Sequence, residues 1–371
     1  MSASIRPLTE LDVRAFESTR ILKAAVRASR MLAELKGVAA TIPNQAILIN
    51  TLSMQEAKDS SAIENIITTH DEVFKSHVLP AAAVSLAAKE VRYYTQALRA
   101  GFDFVAARGL LSNSLILEVQ QTLERNDAGF RKQAGTVLKN GAGEVVYTPP
   151  QDPGVVLSLM RDLEAFINDD DRFDADPLVK MAILHHQFES IHPFYDGNGR
   201  TGRILNVLYL VLQGLLDIPV LYLSRHIVRT KADYYRLLQQ VRDDGRWEDW
   251  VVYMLEAVEH TAAGTIATVE AIRRAVADYK RRIREEYRFY SQDLINNLFR
   301  HPYTRIEFLV TDLGVSRLTA TRYLNALCDG GFLRKQKLGR SNYYINVALV
   351  DVLVRAEDLP APRDQARGVS A

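Results

Sequence analysis

Cysteine is all but missing from this chain: Cys328 stands alone among 371 residues. One thiol cannot build an intrachain disulfide framework, and its isolation fits a reducing compartment. Net charge is missing too. With 46 Lys and Arg against 45 Asp and Glu, the formal charge is +1, so any basic patch has to be local. No apolar run approaches the roughly 20 residues of a membrane span. The opening Met-Ser-Ala-Ser-Ile-Arg-Pro has no signal-peptide core. The expectation is a cytoplasmic protein without membrane contact. A chain of 371 residues, 47% hydrophobic and 25% charged, has room for two or three domains and ample core.

What the chain does have is concentrated between His192 and Arg203, which reads His-Pro-Phe-Tyr-Asp-Gly-Asn-Gly-Arg-Thr-Gly-Arg. Upstream, the spacing of Leu178, Met181, Ile183, Leu184 and Phe188 predicts a helix. Downstream, Ile204 to Leu216 reads as a buried helix with no breaker before Gly214. The stretch is thus a loop that becomes a helix N-terminus in mid-core. Backbone N–H groups at such a start have no intrahelical partner and favour negative charge. Gly197 and Gly199 allow positive φ and close approach, so the Gly-Asn-Gly turn can form a nest of amides. Arg200 and Arg203 lie three apart, on one face by spacing, with forks suited to phosphate. Asp196 suits a Mg²⁺ that bridges phosphates, and His192 a proton-accepting role. Gly197 to Gly202 also matches G-x-G-x-x-G, but that fingerprint needs a preceding β-strand, and a helix-like segment precedes it instead. A purely structural turn leaves His192, Asp196 and Asn198 without a task.

These twelve residues resemble the Fic-domain signature, His-Pro-Phe-x-Asp/Glu-Gly-Asn-Gly-Arg-x-x-Arg, at every specified position. The resemblance implies a largely α-helical core that transfers AMP from ATP to a protein hydroxyl. It makes His192 the base, Asp196 the Mg²⁺ ligand, and Gly197, Asn198 and Gly199 the anion cradle. Arg200 and Arg203, with Thr201 and Gly202 between them, would serve the outer phosphates. ATP as substrate and Mg²⁺ as cofactor follow. Ser60-Ser-Ala-Ile-Glu64-Asn65 resembles the family's inhibitory motif, Ser/Thr-x-x-x-Glu-Gly/Asn. In that reading Glu64 pairs with Arg203 and obstructs the γ-phosphate, with Ser60 on the same helical face.

In chain order, helices are expected over 14–36 (ended by Gly37), 50–74, 81–99 and 110–125. Two β-prone runs flank Asn140-Gly-Ala-Gly, which predicts a hairpin. Fic proteins carry such a flap, so the resemblance makes it a target-binding edge, walled by Val137, Leu138 and Tyr147, with Val137 also counted among the nucleotide-binding residues. Val155 to Ile167 returns to helix. His185 and His186 match no common metal spacing and read as core or surface histidines. Residues 218–225 read as a connector, and 230–242 as a helix carrying Tyr234 and Tyr235. By resemblance, Tyr235 would line the adenine pocket. Helices are then expected at 247–260 and, separately, at 261–290 as a solvated connector.

The last part reads as a helix over 303–311, a tight turn, a second helix capped by Ser316, and a hairpin wing over 330–346. Between Arg300 and Arg340 eight cations face three acids. Arg317, Thr319, Thr321 and Arg322 would face a DNA major groove and Lys337 or Arg340 its backbone, although such modules also bind proteins. The expected fold is mainly α: a Fic-fold helical core with a β-hairpin flap, plus a C-terminal winged helix-turn-helix domain. Its divisions are 1–105 (N-terminal helices, inhibitory helix near 55–68), 106–260 (catalytic core), 261–290 (connecting helix), 291–355 (winged helix) and 356–371 (disordered tail). The expected function is AMP transfer from ATP to a Tyr, Thr or Ser hydroxyl of a protein, possible self-modification included, autoinhibited by Glu64. The alternatives are a DNA-binding regulator with a nucleotide-sensing core, or AMP removal or transfer of another phosphate-containing group. A homodimer is a further possibility.

Overall fold

Helix caps set the order of elements. A computed structural model describes residues 5–79, 83–169, 171, 173–338 and 341–356, without the side chains of Leu338 and Ser341. Two 3₁₀ turns, Leu8–Glu10 and Val13–Phe16, precede helix α1 (Thr19–Ala40), whose first turn is capped by Ser18. The expected start at Arg14 and stop at Gly37 are both wrong. Gly37 costs up to about 1 kcal/mol in a helix, but buried Leu35 and Ala39 carry the helix past it against the core.

The single helix expected over 50–74 is two, α2 (Ala46–Ile63) and α3 (His70–Ser76). Asn65 turns left-handed at φ 62° and breaks the run, and Thr69 with Glu72 forms a capping box that restarts it. Helix α4 runs over Leu86–Arg108 rather than 81–99, from the Ser85 cap to Gly109 at φ 63°; residues 80–82 lie outside the described residues. Helix α5 (Asn113–Glu124) precedes the expected hairpin, β1 (Leu138–Lys139) and β2 (Val145–Tyr147), paired antiparallel. Pro153 opens α6 (Pro153–Asn168) at its first turn beneath the Asp152 cap.

Helix α7 (Pro177–Ile191) is buried at every residue from Leu178 on, and α8 (Asn198–Leu212) packs beside it. The supposed connector 218–225 contains the start of α9 (Leu223–Arg229), followed by α10 (Lys231–Asp244). The next helix, α11 (Trp247–Glu286), is 40 residues long and unbroken, so no boundary falls at 261. Its middle is no solvated connector: Thr261, Ala262, Thr265, Ile266, Val269 and Ile272 are buried, and the helix packs along α1. Trp250 on α11 is fully buried and donates its indole N–H to Ala182 O of α7 at 2.8 Å.

The C-terminal part holds α12 (Gln292–Arg300), β3 (Tyr303–Thr304), α13 (Ile306–Leu313), α14 (Arg317–Asp329), β4 (Leu333–Leu338), β5 (Ser341–Asn346) and α15 (Val347–Arg355). The sheet is antiparallel in the order β3-β5-β4. Tyr303 and Thr304, expected in a helix, are strand because they pair with Ile345 and Tyr344. Helix α15 was not anticipated. Arg340 and the tail beyond Ala356 lie outside the described residues. This part packs on α2 and α3: Gln55 Nε2 donates to Leu353 O at 2.9 Å, and the Tyr303 and Phe74 rings lie 5.8 Å apart. No described helix is long and apolar enough to cross a membrane.

Candidate active site

The loop between α7 and α8 is built mostly from its own residues. His192 ends α7 in the left-handed region, at φ 50° and ψ 59°. Asn198 closes the turn: its Oδ1 accepts the Phe194 N–H and its Nδ2 donates to Phe194 O, both at 2.8 Å. These two bonds turn its amide toward Phe194, and its main-chain N–H lies in the first turn of α8. Gly197, at φ 77°, precedes α8, which has no side-chain cap, so the first amides of the helix point outward. Asp196 is exposed at the mouth, with Oδ1 accepting the Gly197 N–H at 2.7 Å. A single exposed carboxylate beside an anion seat fits Mg²⁺, which takes its other ligands from phosphate and water. Among the described residues no group of three or more acids, histidines or cysteines forms a metal cage.

Carboxylates fill the seat. Glu64 caps the C-terminus of α2, and its Oε1 receives the Arg203 Nη2–H at 2.7 Å. Arg203 also donates to Ser60 Oγ at 2.8 Å and Ser60 O at 3.0 Å. A Cβ placed on Gly199 would lie 2.2 Å from Glu64 Oε1, so this carboxylate rests on the first turn of α8. Burial disfavours both charges, but each outweighs the penalty on the other: the Glu64 pKa lies below its usual range and that of Arg203 above. Lys231, at the start of α10, donates to Ile63 O at 2.6 Å and Asn65 Oδ1 at 3.2 Å, which latches the end of α2. Asn65 is left-handed, a conformation that favours Gly or Asn at the position after Glu64.

Arg200 and Arg203 do not converge. Arg200 turns the other way, to Glu90 Oε2 of α4 at 2.7 Å and Glu124 Oε1 of α5 at 2.8 Å. Glu124 is thereby held against Gly197, where a Cβ would meet its Oε1 at 2.2 Å. Burial, together with the charges of Asp196, Glu90 and Glu64, pushes the Glu124 carboxyl upward despite Arg200. Thr201 is fully buried, and Gly202 marks the close approach of α8 to α7, 3.1 Å from Phe188 at its Cβ position.

Around this seat, Tyr235 of α10 is 46% exposed and packs edge-on against buried Tyr234, whose hydroxyl bonds His185 Nε2 at 2.9 Å. His185 and His186 are core residues, and burial lowers the His185 pKa to about 3. On the flap, Val137 lies half-exposed just before β1, but Tyr147 is no wall for a ligand: it turns inward and donates to Ser190 O at 2.9 Å. The exposed apolar residues of β2 are Val145 and Val146. On α14, Arg317 pairs with Glu307 at 2.5 Å and Arg322 is exposed. The Thr319 and Thr321 hydroxyls bond Ser316 Oγ and Arg317 O. Glu90, Glu124, Arg131, Lys231 and Arg242 escaped the sequence reading. Each lies near a helix end or in a loop among other polar residues, and no spacing relates it to the motif.

Three family models match in order: Fic/DOC family N-terminal over residues 22–103, Fic/DOC family over 110–210, and the protein adenylyltransferase SoFic-like C-terminal domain over 276–349. The chain belongs to the Fic/DOC family. It is 37% identical over 159 residues to protein adenylyltransferase fic-1 of Caenorhabditis briggsae, covering 40% of this chain and 29% of that protein. It is 33% identical over 112 residues to protein adenylyltransferase Fic of Aedes aegypti, covering 30% and 21%. The chain spans from 16% to 51% of the length of the first curated relatives it matches. Among solved structures, a Fic family protein from Desulfovibrio desulfuricans G20 superposes with TM-score 0.57 at 22% identity, over 89% of this chain and 97% of that one. A Bacteroides thetaiotaomicron protein described as a Fic domain containing signaling protein gives 0.54 at 18% identity, over 67% and 97%. At these identities the likeness is one of fold.

Proposed function

We propose that this chain is a protein adenylyltransferase that moves AMP from ATP to a Tyr, Thr or Ser hydroxyl of a protein and is held off by Glu64. The observation that carries the reading is the Glu64–Arg203 pair at 2.7 Å, seated on the open N-terminus of α8 beside His192. A carboxylate there stands where a nucleotide phosphate would use the same amides and the same guanidinium. Burial first, then the charges of Arg242 and Arg131, lower the His192 pKa to about 4, so the ring is neutral at pH 7 and can accept a proton. In the reaction the target hydroxyl gives its proton to His192 as its oxygen bonds the α-phosphorus. The bond to the bridging oxygen breaks, and pyrophosphate leaves with that electron pair. Mg²⁺, held by Asp196 and the phosphates, would supply charge to stabilise the leaving group. Tyr235 offers a half-exposed ring on which a nucleobase can stack, and Val137 with the flap lies on the target side.

Mass spectrometry of Glu64→Gly protein after incubation with ATP and Mg²⁺ tests this. The expected result is a gain of one AMP on the chain or an added protein, absent in Glu64→Gly/His192→Ala. No gain in the first, or the same gain in both, would overturn the reading.

A further inference from the structure

Helix α7 ends at Ile191, and the last carbonyls of any helix lack intrahelical donors. At this end every one has a partner. Phe188 O accepts the His192 N–H at 2.9 Å. Glu189 O accepts from Arg242 Nη2 at 3.1 Å, and Ser190 O from the Tyr147 hydroxyl at 2.9 Å. Ile191 O accepts from Arg131 Nη2 at 3.2 Å, His192 O from Arg131 Nε at 2.8 Å, and Pro193 O from the Arg131 N–H at 2.8 Å. Arg242 Nε reaches Ser190 Oγ at 3.0 Å, and its guanidinium lies 3.9 Å over the Tyr147 ring. Two arginines from distant segments, neither in the motif, thus supply four of the six donors.

Their charge asks for more than a capping role. Arg131 is 2% exposed; neither it nor Arg242 forms an ion pair within 4 Å among the described residues, although the charges of Glu189 and Asp243 act on Arg242. A buried cation without an acid is costly, and carbonyls can be capped by neutral N–H groups at lower cost. What a neutral donor cannot provide is a positive field. His192 is the group that field acts on. Its backbone sits in the left-handed region, unfavourable for a residue with a Cβ. Its Nδ1 is buried; no carboxylate backs the ring, the usual device for a histidine base, and the backbone of Glu189, whose carbonyl accepts from Arg242, is the hydrogen-bonding group that acts on it. Orientation has to come from the main chain.

We propose that Arg131 and Arg242 are positioning residues for His192: they fix the 188–193 turn that aims its ring, and their two positive charges oppose a third on the imidazole. This rests on the reading of His192 as the base. The charged groups that act on the ring are Arg242 from α10, Arg131 from the segment after α5, and, with opposite sign, Glu64 from α2. Tyr147 is the neutral member of the set.

The test compares full-length Glu64→Gly protein with the same protein carrying Arg242→Gln, Arg242→Lys, Arg131→Lys or Tyr147→Phe. AMP transfer is followed across pH 5–9, with ATP affinity and melting temperature measured alongside. Arg242→Gln is expected to slow transfer on the order of 10–100-fold with ATP affinity little changed, and to move the acid limb of the profile to higher pH. The two Lys variants keep the charge but lose the fork. They should be slow with the limb in place. Tyr147→Phe should also leave the limb unmoved. A limb that stays put in Arg242→Gln, or shifts as far in Tyr147→Phe, reduces the arginines to structural caps and overturns the proposal. NMR of histidine-labelled protein reads the His192 titration directly in the same variants. That separates failure of this proposal from failure of AMP transfer itself, and an unshifted titration in Arg242→Gln overturns it too.

Discussion

Two helix starts in this molecule look alike in sequence and differ in how they are finished. Helices α8 and α14 both follow a turn with a left-handed glycine, Gly197 at φ 77° and Gly314 at φ 64°. At α14 the cap is local: Ser316 accepts the Thr319 N–H at 3.2 Å, and Arg317 extends with 69% of its side chain exposed. At α8 no neighbour caps the helix. Glu64 from α2 and Glu124 from α5 close it, and Arg200 and Arg203 are 4% and 1% exposed. A terminus completed by its own neighbours is a finished surface. One closed by carboxylates from distant helices offers an anionic ligand the amides that those carboxylates cover. That contrast is why the proposed chemistry is assigned to α8.

Acid should give the largest effect and separate the two regions. Burial lowers the pKa of His77, His192, His226 and His301 to about 4, that of His185 to about 3, and that of His186 well below the usual histidine range. Such groups bind fewer protons folded than unfolded, so their contribution is present above about 6.5 and lost as pH falls toward those values. Glu56 and Glu189, raised to about 7, have the opposite sign and lose theirs as pH rises through 7. Six histidines against two carboxyls predict a melting temperature that climbs from pH 5 to 6.5. Since only His301 lies in the C-terminal part, hydrogen exchange in acid should loosen α7 and α8 before α14. The reverse order would break the contrast.

Substitution at the glycines sharpens it. A left-handed Cβ alone costs about 1–2 kcal/mol, and Gly314→Ala, with nothing within 4 Å, should cost no more. Gly197→Ala adds a clash with Glu124 at 2.2 Å and should cost clearly more. Ser316→Ala, the smallest change, should cost about 1 kcal/mol by denaturant titration. Equal costs at the two glycines would mean that Glu124 is not held against α8.

The same contrast marks what could be read from the sequence. The loop from His192 to Arg203 was legible because its turn, its nest and its Asn198 clasp are made from adjacent residues. Glu64 was legible only through its motif, and the break after it at Asn65 was not, since a left-handed asparagine leaves no period to follow. Glu124, Arg131 and Arg242 were silent. These partners lie 53 to 76 residues away along the chain and no local pattern requires them. Strand β3 was misread for the same reason, because Tyr303 is extended only through its pairing with Ile345. The unbroken α11 was misread because its polar-looking middle is buried against α1.

The central claim is that Glu64 occupies a phosphate seat on α8. Titration calorimetry of ATP with Mg²⁺ against the intact chain and Glu64→Gly tests it most directly, with adenosine as the phosphate-free control. Glu64→Gly is expected to bind ATP at least about tenfold more tightly, a coupling of about 1.4 kcal/mol, and adenosine no differently. Equal ATP affinity in the two proteins would contradict it.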